Sequence, residues 1–244
     1  MKDSLISQYY YFGFLFLASY FSYAQIGSNV YHSEQEKDGK LVHHELKMDA
    51  DYMTHTSYEK KPAKFIKTIG GFYKIEDGIM KVQLEFNSNF DKDSISQLQY
   101  NFESSKNKLI LYLDEKLEFK TSENLKQELD GQWLFGTRGP DEGQERRGDS
   151  KPRKTLKYLQ DGRFQWIAYN IETMKFHGTG GGSFTSKDGV YQEDIEFFSR
   201  DNSRVGAELK FDYELKGNDW HHQGKNSKGE PMYEIWMRRM IHSQ

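Results

Sequence analysis

Glu208-Leu209-Lys210-Phe211-Asp212-Tyr213-Glu214-Leu215 alternates without exception between charged and apolar residues. Successive side chains leave a strand on opposite faces, so this period of two predicts a half-buried β-strand. Outward from it the chain keeps the same grammar. Gly217-Asn218 turns the chain into Trp220 to Gln223, and Tyr233 to Arg239 forms a last strand. On the N-terminal side, Lys187-Asp188-Gly189 turns into Val190 to Ser199. Before that come Phe164 to Asn170, Met174 to Thr179 and Ser183 to Thr185, punctuated by Asp161-Gly162 and Gly180-Gly181-Gly182. Aspartate–glycine pairs between apolar runs are hairpin signals. Short strands with frequent turns and no helical period predict an antiparallel meander. Closing it into a barrel would remove its exposed edges.

The unit is written twice. Against itself at an offset of 111 residues, the chain aligns from Tyr58/Tyr169 to Leu109/Trp220 over 52 positions without a gap, and 14 pairs are identical. They include Lys64/Lys175, Phe65/Phe176, Thr68/Thr179, Gly70/Gly181, Gly71/Gly182, Asp77/Asp188, Gly78/Gly189, Glu85/Glu196 and Phe86/Phe197. A gapless period of this length predicts one structural unit in tandem. The fold class is therefore all-β, two antiparallel β-barrel domains, with expected boundaries of 25–125 and 130–244.

The second copy opens with Gly131-Gln132-Trp133 and ends on Trp236-Met237-Arg238-Arg239. With Gly180 to Phe184, Tyr191 to Phe197 and Trp220-His221-His222 in that order, it resembles the lipocalin-like (calycin) β-barrels, in particular secreted bacterial lipocalin-like proteins. The resemblance covers roughly residues 131 to 240 and reaches the first copy only through the internal repeat. It implies that the closing-strand arginine packs across the tryptophan at the barrel floor. It also implies that the polar loop from Arg138 to Lys154 takes the place of a lid. The first copy departs from the pattern: Gly27-Ser28-Asn29 carries no tryptophan and Glu118-Phe119-Lys120 matches the closing strand poorly. This leaves open whether the first copy closes fully.

The copies differ where a site could be. Tyr191, Glu193, Ile195 and Phe197 share one face of their strand, expected to point inward. Glu193 stands where the first copy has Val82, His222 where it has Leu111, His177 where it has Ile66 and Arg204 where it has Asp93. An inward carboxylate is costly unless paired or facing a polar cavity. The second copy is thus expected to hold a polar-lined cavity and the first a filled core. Tyr169, Tyr191, Phe211, Tyr213 and Trp236 would supply walls, and Glu193, His222 and Arg238 polar contacts. Glu193 could instead pair with Arg238 as a structural bridge, and His222 could be a satisfied core histidine. His221 should face outward into solvent. Adjacent histidines on a strand face opposite ways, so no metal site is expected from them. Glu85 and Glu196 are expected to be structural carboxylates of the outer face or the rim. The three glycines lack the Lys-Ser/Thr of a phosphate loop and suggest a bulge or a sharp barrel corner.

These features predict a small, partly apolar ligand in the second barrel and no cofactor. The alternatives are an enzyme using Glu193 and His222 as acid and base, or a structural or protein-interaction module. Net charge is −3, giving no reason to expect nucleic acid. There is no cysteine, which excludes disulfides, thiolate metal sites and thiol nucleophiles. Tyr10 to Phe21 is an apolar run too short to span a bilayer, and Ser22-Tyr23-Ala24 has the small-x-small form of a cleavage site. Residues 1–24 are accordingly expected to be a signal peptide. The rest would be exported to the periplasm or medium, without a transmembrane anchor.

Overall fold

A computed structural model describes residues 26–112, 115–226 and 229–240. The expected signal peptide, 1–24, lies outside the described residues. Among the described residues, sixteen strands form two closed antiparallel barrels of eight. The first barrel contains β1 (Asn29–Lys37), β2 (Lys40–Met48), β3 (Tyr52–Lys60), β4 (Ala63–Glu76), β5 (Ile79–Asn87), β6 (Gln97–Ser105), β7 (Lys108–Tyr112) and β8 (Lys116–Thr121). The second contains β9 (Gly131–Arg138), β10 (Arg153–Gln160), β11 (Arg163–Asn170), β12 (Phe176–Lys187), β13 (Val190–Phe198), β14 (Glu208–Lys216), β15 (Asp219–Lys225) and β16 (Pro231–Arg238). Consecutive strands pair throughout, and each barrel closes last strand to first. Among the described residues no helix is long and apolar enough to cross a membrane.

The turns form for the reason their residues suggest. Asp188 and Gly189 take φ of 52° and 78°, as Asp161 and Gly162 take 49° and 73°. Positive φ at both central residues is what a tight hairpin needs to match the twist of its strands. The glycine run does not separate two strands; β12 runs through it, with a register shift against β13 between Gly181 and Gly182. The first barrel repeats this shift between Gly70 and Gly71. A Cβ on Gly182 would run into the backbone carbonyl of Asp194. Gly182→Ala should therefore cost about 1–3 kcal/mol or more by forcing backbone apart, measurable as a lowered urea midpoint. An unchanged midpoint would mean that the bulge tolerates a side chain.

The first copy closes fully, through Tyr31↔Thr121 and His32↔Lys120. Its opening strand does carry a large aromatic, two residues past the stretch that lacked a tryptophan. Tyr31 Oη donates to the Gly27 carbonyl at 3.1 Å, as Trp133 Nε1 donates to the Leu129 carbonyl at 2.8 Å. Both bonds reach four residues back, so tyrosine takes the tryptophan's place. In the second copy Arg238 lies 3.8 Å over the Trp133 ring and donates to the Asp130 carbonyl at 2.6 Å. This is the floor that the resemblance implied.

Each barrel has an apolar interior, and a third buried cluster joins Tyr52 and Phe86 of one barrel to Leu156, Tyr158, Ile167 and Tyr169 of the other. The joint is pseudo-symmetric. Tyr58 packs on Phe197 with ring centroids 4.9 Å apart, Tyr169 on Phe86 at 5.0 Å, and Phe65 stacks on its own repeat mate Phe176 at 6.3 Å. Many residues identical in both copies are thus those the copies use against each other. Glu85 and Glu196 are on the outer face, as expected, but that face is covered. Arg239 binds Glu85 through two nitrogens, at 2.6 and 3.0 Å, and Arg163 bridges Glu45 and Glu196.

Candidate functional site

The described hairpins at 161–162, 188–189 and 217–218 close one end of the second barrel with Trp133 and Arg238. The other end opens on a cavity of about 280 Å³. Its upper walls are apolar, with Trp166, Ile195, Phe198, Ala207, Leu209 and Met232. Its base is polar, with Lys157, Glu193, His222 and Glu234 beside Trp236.

Strand parity sets this base. On β10, Thr155, Lys157 and Leu159 point inward while Leu156 and Tyr158 pack against the first barrel. Lys157 Nζ is 2.8 Å from Glu193 Oε1, and the side chains are 7% and 5% exposed. The same oxygen accepts from Tyr191 Oη at 2.8 Å. The ammonium also sits 4.9 Å from the Tyr191 ring centre, 5.0 Å from Trp220 and 5.2 Å from Trp236. Each face offers the cation the negative side of its quadrupole. Carboxylate and aromatic cage together hold a charge that could not otherwise stay inside. Burial and the neighbouring Glu193 carboxylate push the Tyr191 hydroxyl well above the usual tyrosine range, so it remains a donor.

His222 is wedged among Tyr191, Phe211 and Trp220 and is 1% exposed. Neither ring nitrogen has a hydrogen-bond partner among the described residues. Its Nδ1 approaches Glu234 Oε2 at 3.8 Å, too long for a hydrogen bond. Burial lowers its pKa to about 4, and the Lys157 charge acts the same way, so it is neutral at pH 7. For Glu234, burial favours the acid, but its neighbours outweigh this. The His222 ring beside it, the Lys157 charge and the Trp236 Nε1 bond at 3.1 Å hold the carboxyl below its usual range.

A pH prediction follows. His222 binds a proton near 6.5 when unfolded and near 4 when folded, so its contribution is fully present above about 6.5 and is lost as pH falls toward 4. The loss should be about 3 kcal/mol. His222→Phe should flatten the stability curve between pH 6.5 and 4 by that order. An unchanged slope in urea melts would show that another group titrates there.

Of the expected site residues, Glu193, His222 and Trp236 line the cavity, as do Phe211 and Arg204. Tyr191 lies directly beneath. The others are elsewhere. Tyr213 sits nearer the closed end, its hydroxyl on Glu128. Arg238 is occupied at the floor, so the partner of Glu193 is Lys157. Tyr169 is on the outer wall, with its hydroxyl on Glu85 at 2.8 Å. On β11 the inward residues are Phe164 and Trp166, while Gln165, Ile167 and Tyr169 are fully buried by the first barrel. With both faces covered, hydrophobicity cannot tell lumen from joint. Phe197 likewise points outward, because the bulge opposite Gly181 and Gly182 reverses parity after Ile195. His221 does face outward but is 5% exposed and bonded to Tyr233 Oη at 2.8 Å. His177 is the second residue of β12, outside the cavity.

The β9–β10 loop is a strap rather than a lid. Arg146 ties it to Asp219 at 2.7 Å, Arg147 bonds back to the Gly136 carbonyl, and Gly148 packs by Met237. None of residues 139–152 lines the cavity, although Arg147 and Glu145 border an adjoining groove that shares Thr155 and Glu234 with it. In the first barrel, His44 Nδ1 meets His55 Nε2 at 3.1 Å, a pair that escaped the sequence reading. Burial lowers both, to about 4 and about 3, so one neutral ring donates to the other. Among the described residues no three His, Cys, Asp or Glu side chains converge as a metal site. A search of protein-family models finds no match for this chain, and a search of curated proteins finds no relative.

Proposed function

We propose that the protein is an exported, lipocalin-like binding protein that holds one small, partly apolar molecule in the second barrel. The observation that carries this reading is the wholly buried His222, with two unpartnered nitrogens, at the polar base of an apolar-walled cavity. An orphaned buried polar atom costs about 1–3 kcal/mol, and a bound molecule that meets it recovers that amount. The volume suits a compact ligand, and the mix of aromatic walls with a few fixed polar groups is the usual make-up of such sites. The Trp133–Arg238 floor supports the lipocalin-like assignment. The apolar run before Ala24 supports export, to the periplasm or the medium, with residues 1–24 as the signal peptide and barrel domains at 25–125 and 130–244.

The test is the melting temperature of residues 25–244 against a library of small apolar and amphipathic compounds, beside Leu209→Trp, which fills the cavity. A ligand at 100 times its dissociation constant adds about 2.7 kcal/mol. The expected result is a set of compounds that raise the wild-type midpoint and leave the filled variant unmoved. Equal shifts in both proteins, or none in either, would remove the second barrel as the binding site.

A further inference from the structure

The polar base of the cavity constrains what its occupant must carry. Three groups reach it: the Lys157–Glu193 pair, His222 and Glu234. The first is already closed. Lys157 and Glu193 bind each other at 2.8 Å, Tyr191 takes the same carboxylate oxygen, and the ammonium is surrounded by rings. Glu193 neutralises the ammonium, so the pair offers an anion no net charge. The second and third remain open. Glu234 Oε2 faces His222 Nδ1 at 3.8 Å and accepts from Trp236 Nε1 at 3.1 Å. A carboxylate on the Nδ1 side favours the tautomer with its proton there, which leaves Nε2 as a bare acceptor. That nitrogen is fully buried and has no hydrogen-bond partner among the described residues.

Both acceptor-bearing residues therefore line the bottom of an apolar-walled cavity, as does Thr155. From the unpartnered His222 nitrogen and the Glu234 carboxylate we infer that the occupant enters polar end first and that this end is a hydrogen-bond donor, an amine or a hydroxyl, not a carboxylate. The inference rests on the binding reading above. An anionic head would meet Glu234 and the bare nitrogen at short range, leaving acceptors facing acceptors, which a buried site penalises heavily. Arg204 is at the opposite, upper part of the cavity in the segment joining β13 to β14, near Asp201 at 3.6 Å. Arg147 stands over Phe135 at 4.4 Å on the rim. Both are cations of the rim, so they do not reverse the preference at the base.

The experiment uses three probes with nearly the same body: 2-phenylethylamine, 2-phenylethanol and 3-phenylpropionate. Each is titrated calorimetrically into the full mature chain, its Glu234→Gln variant and its His222→Phe variant. N-phenyl-1-naphthylamine fluorescence reports in parallel that the cavity is intact. The expected result is that the amine, the alcohol or both bind at least tenfold more tightly than the carboxylate. An amine ligand is marked by loss of that margin in Glu234→Gln, and a hydroxyl ligand by its loss in His222→Phe. The inference is overturned if the carboxylate binds as well as the other two, or if neither variant changes the margin. It is also overturned if the fluorescent probe binds while none of the three does; the cavity would then stand without the donor preference. If the fluorescent probe fails as well, the binding reading itself is wrong.

Discussion

Lys157→Met will destabilise the second barrel by about 3–5 kcal/mol, the usual consequence of removing one partner from a buried ion pair. Methionine matches the length of the lysine stem and fills the space among Tyr191, Trp220 and Trp236, so the loss is electrostatic and not a cavity effect. What remains is the Glu193 carboxylate, 5% exposed, with the Tyr191 hydroxyl as its remaining hydrogen-bond donor among the described residues. The double variant Lys157→Met with Glu193→Gln should recover most of the loss, because neither position then carries a charge. Urea unfolding followed by tryptophan fluorescence measures both. A single variant as stable as the wild type would mean that the carboxylate is solvated from the cavity and needs no lysine.

Arg239→Met should cost a similar amount, about 3–5 kcal/mol, for the same reason at a different place. Glu85 is held below the usual carboxylate range against its burial by Arg239, with help from the hydroxyls of Tyr52 and Tyr169. Arg239 belongs to the end of the second barrel and Glu85 to the first. The loss should therefore appear as weaker coupling between the barrels. The denaturation curve should broaden or split where the wild type unfolds in one step. A single, unshifted transition would show that the apolar contacts of Phe86 with Tyr169 and Tyr58 with Phe197 hold the joint unaided.

The fold was largely legible because its signals are local. The alternation from Glu208 to Leu215, the Asp-Gly hairpins and the repeated Gly-Gly bulge each act within a few residues of where they are written. Glu193 was legible for the same reason, as a charge on an apolar face. The rest of the site was not, because outer faces of these barrels are not all solvent. On β10 the apolar Leu156 and Tyr158 face the first barrel, so the charged Lys157 is left inside, the reverse of what alternation ordinarily implies. Alternation places Tyr169 in the lumen because nothing in its own strand reveals a second buried surface. Glu234 lies on a strand whose register against β9 shifts between Ile235 and Trp236, so its facing was not readable from spacing. The repeat did contain a signal for the joint: residues that keep their identity in both copies, such as Phe65/Phe176 and Glu85/Glu196, are ones that meet across it.

The most direct test of the account is how many molecules of N-phenyl-1-naphthylamine one chain binds, and where. The two barrels share a design, but the second carries an open polar base that the first replaces with Val82 and Leu111. Fluorescence titration of residues 25–244 should saturate at one probe per chain. The signal should vanish in Ala207→Trp, which obstructs the cavity from its upper wall, while the circular dichroism spectrum stays that of the wild type. Saturation at two per chain, or undiminished binding to Ala207→Trp, would contradict the assignment of a single binding cavity to the second barrel.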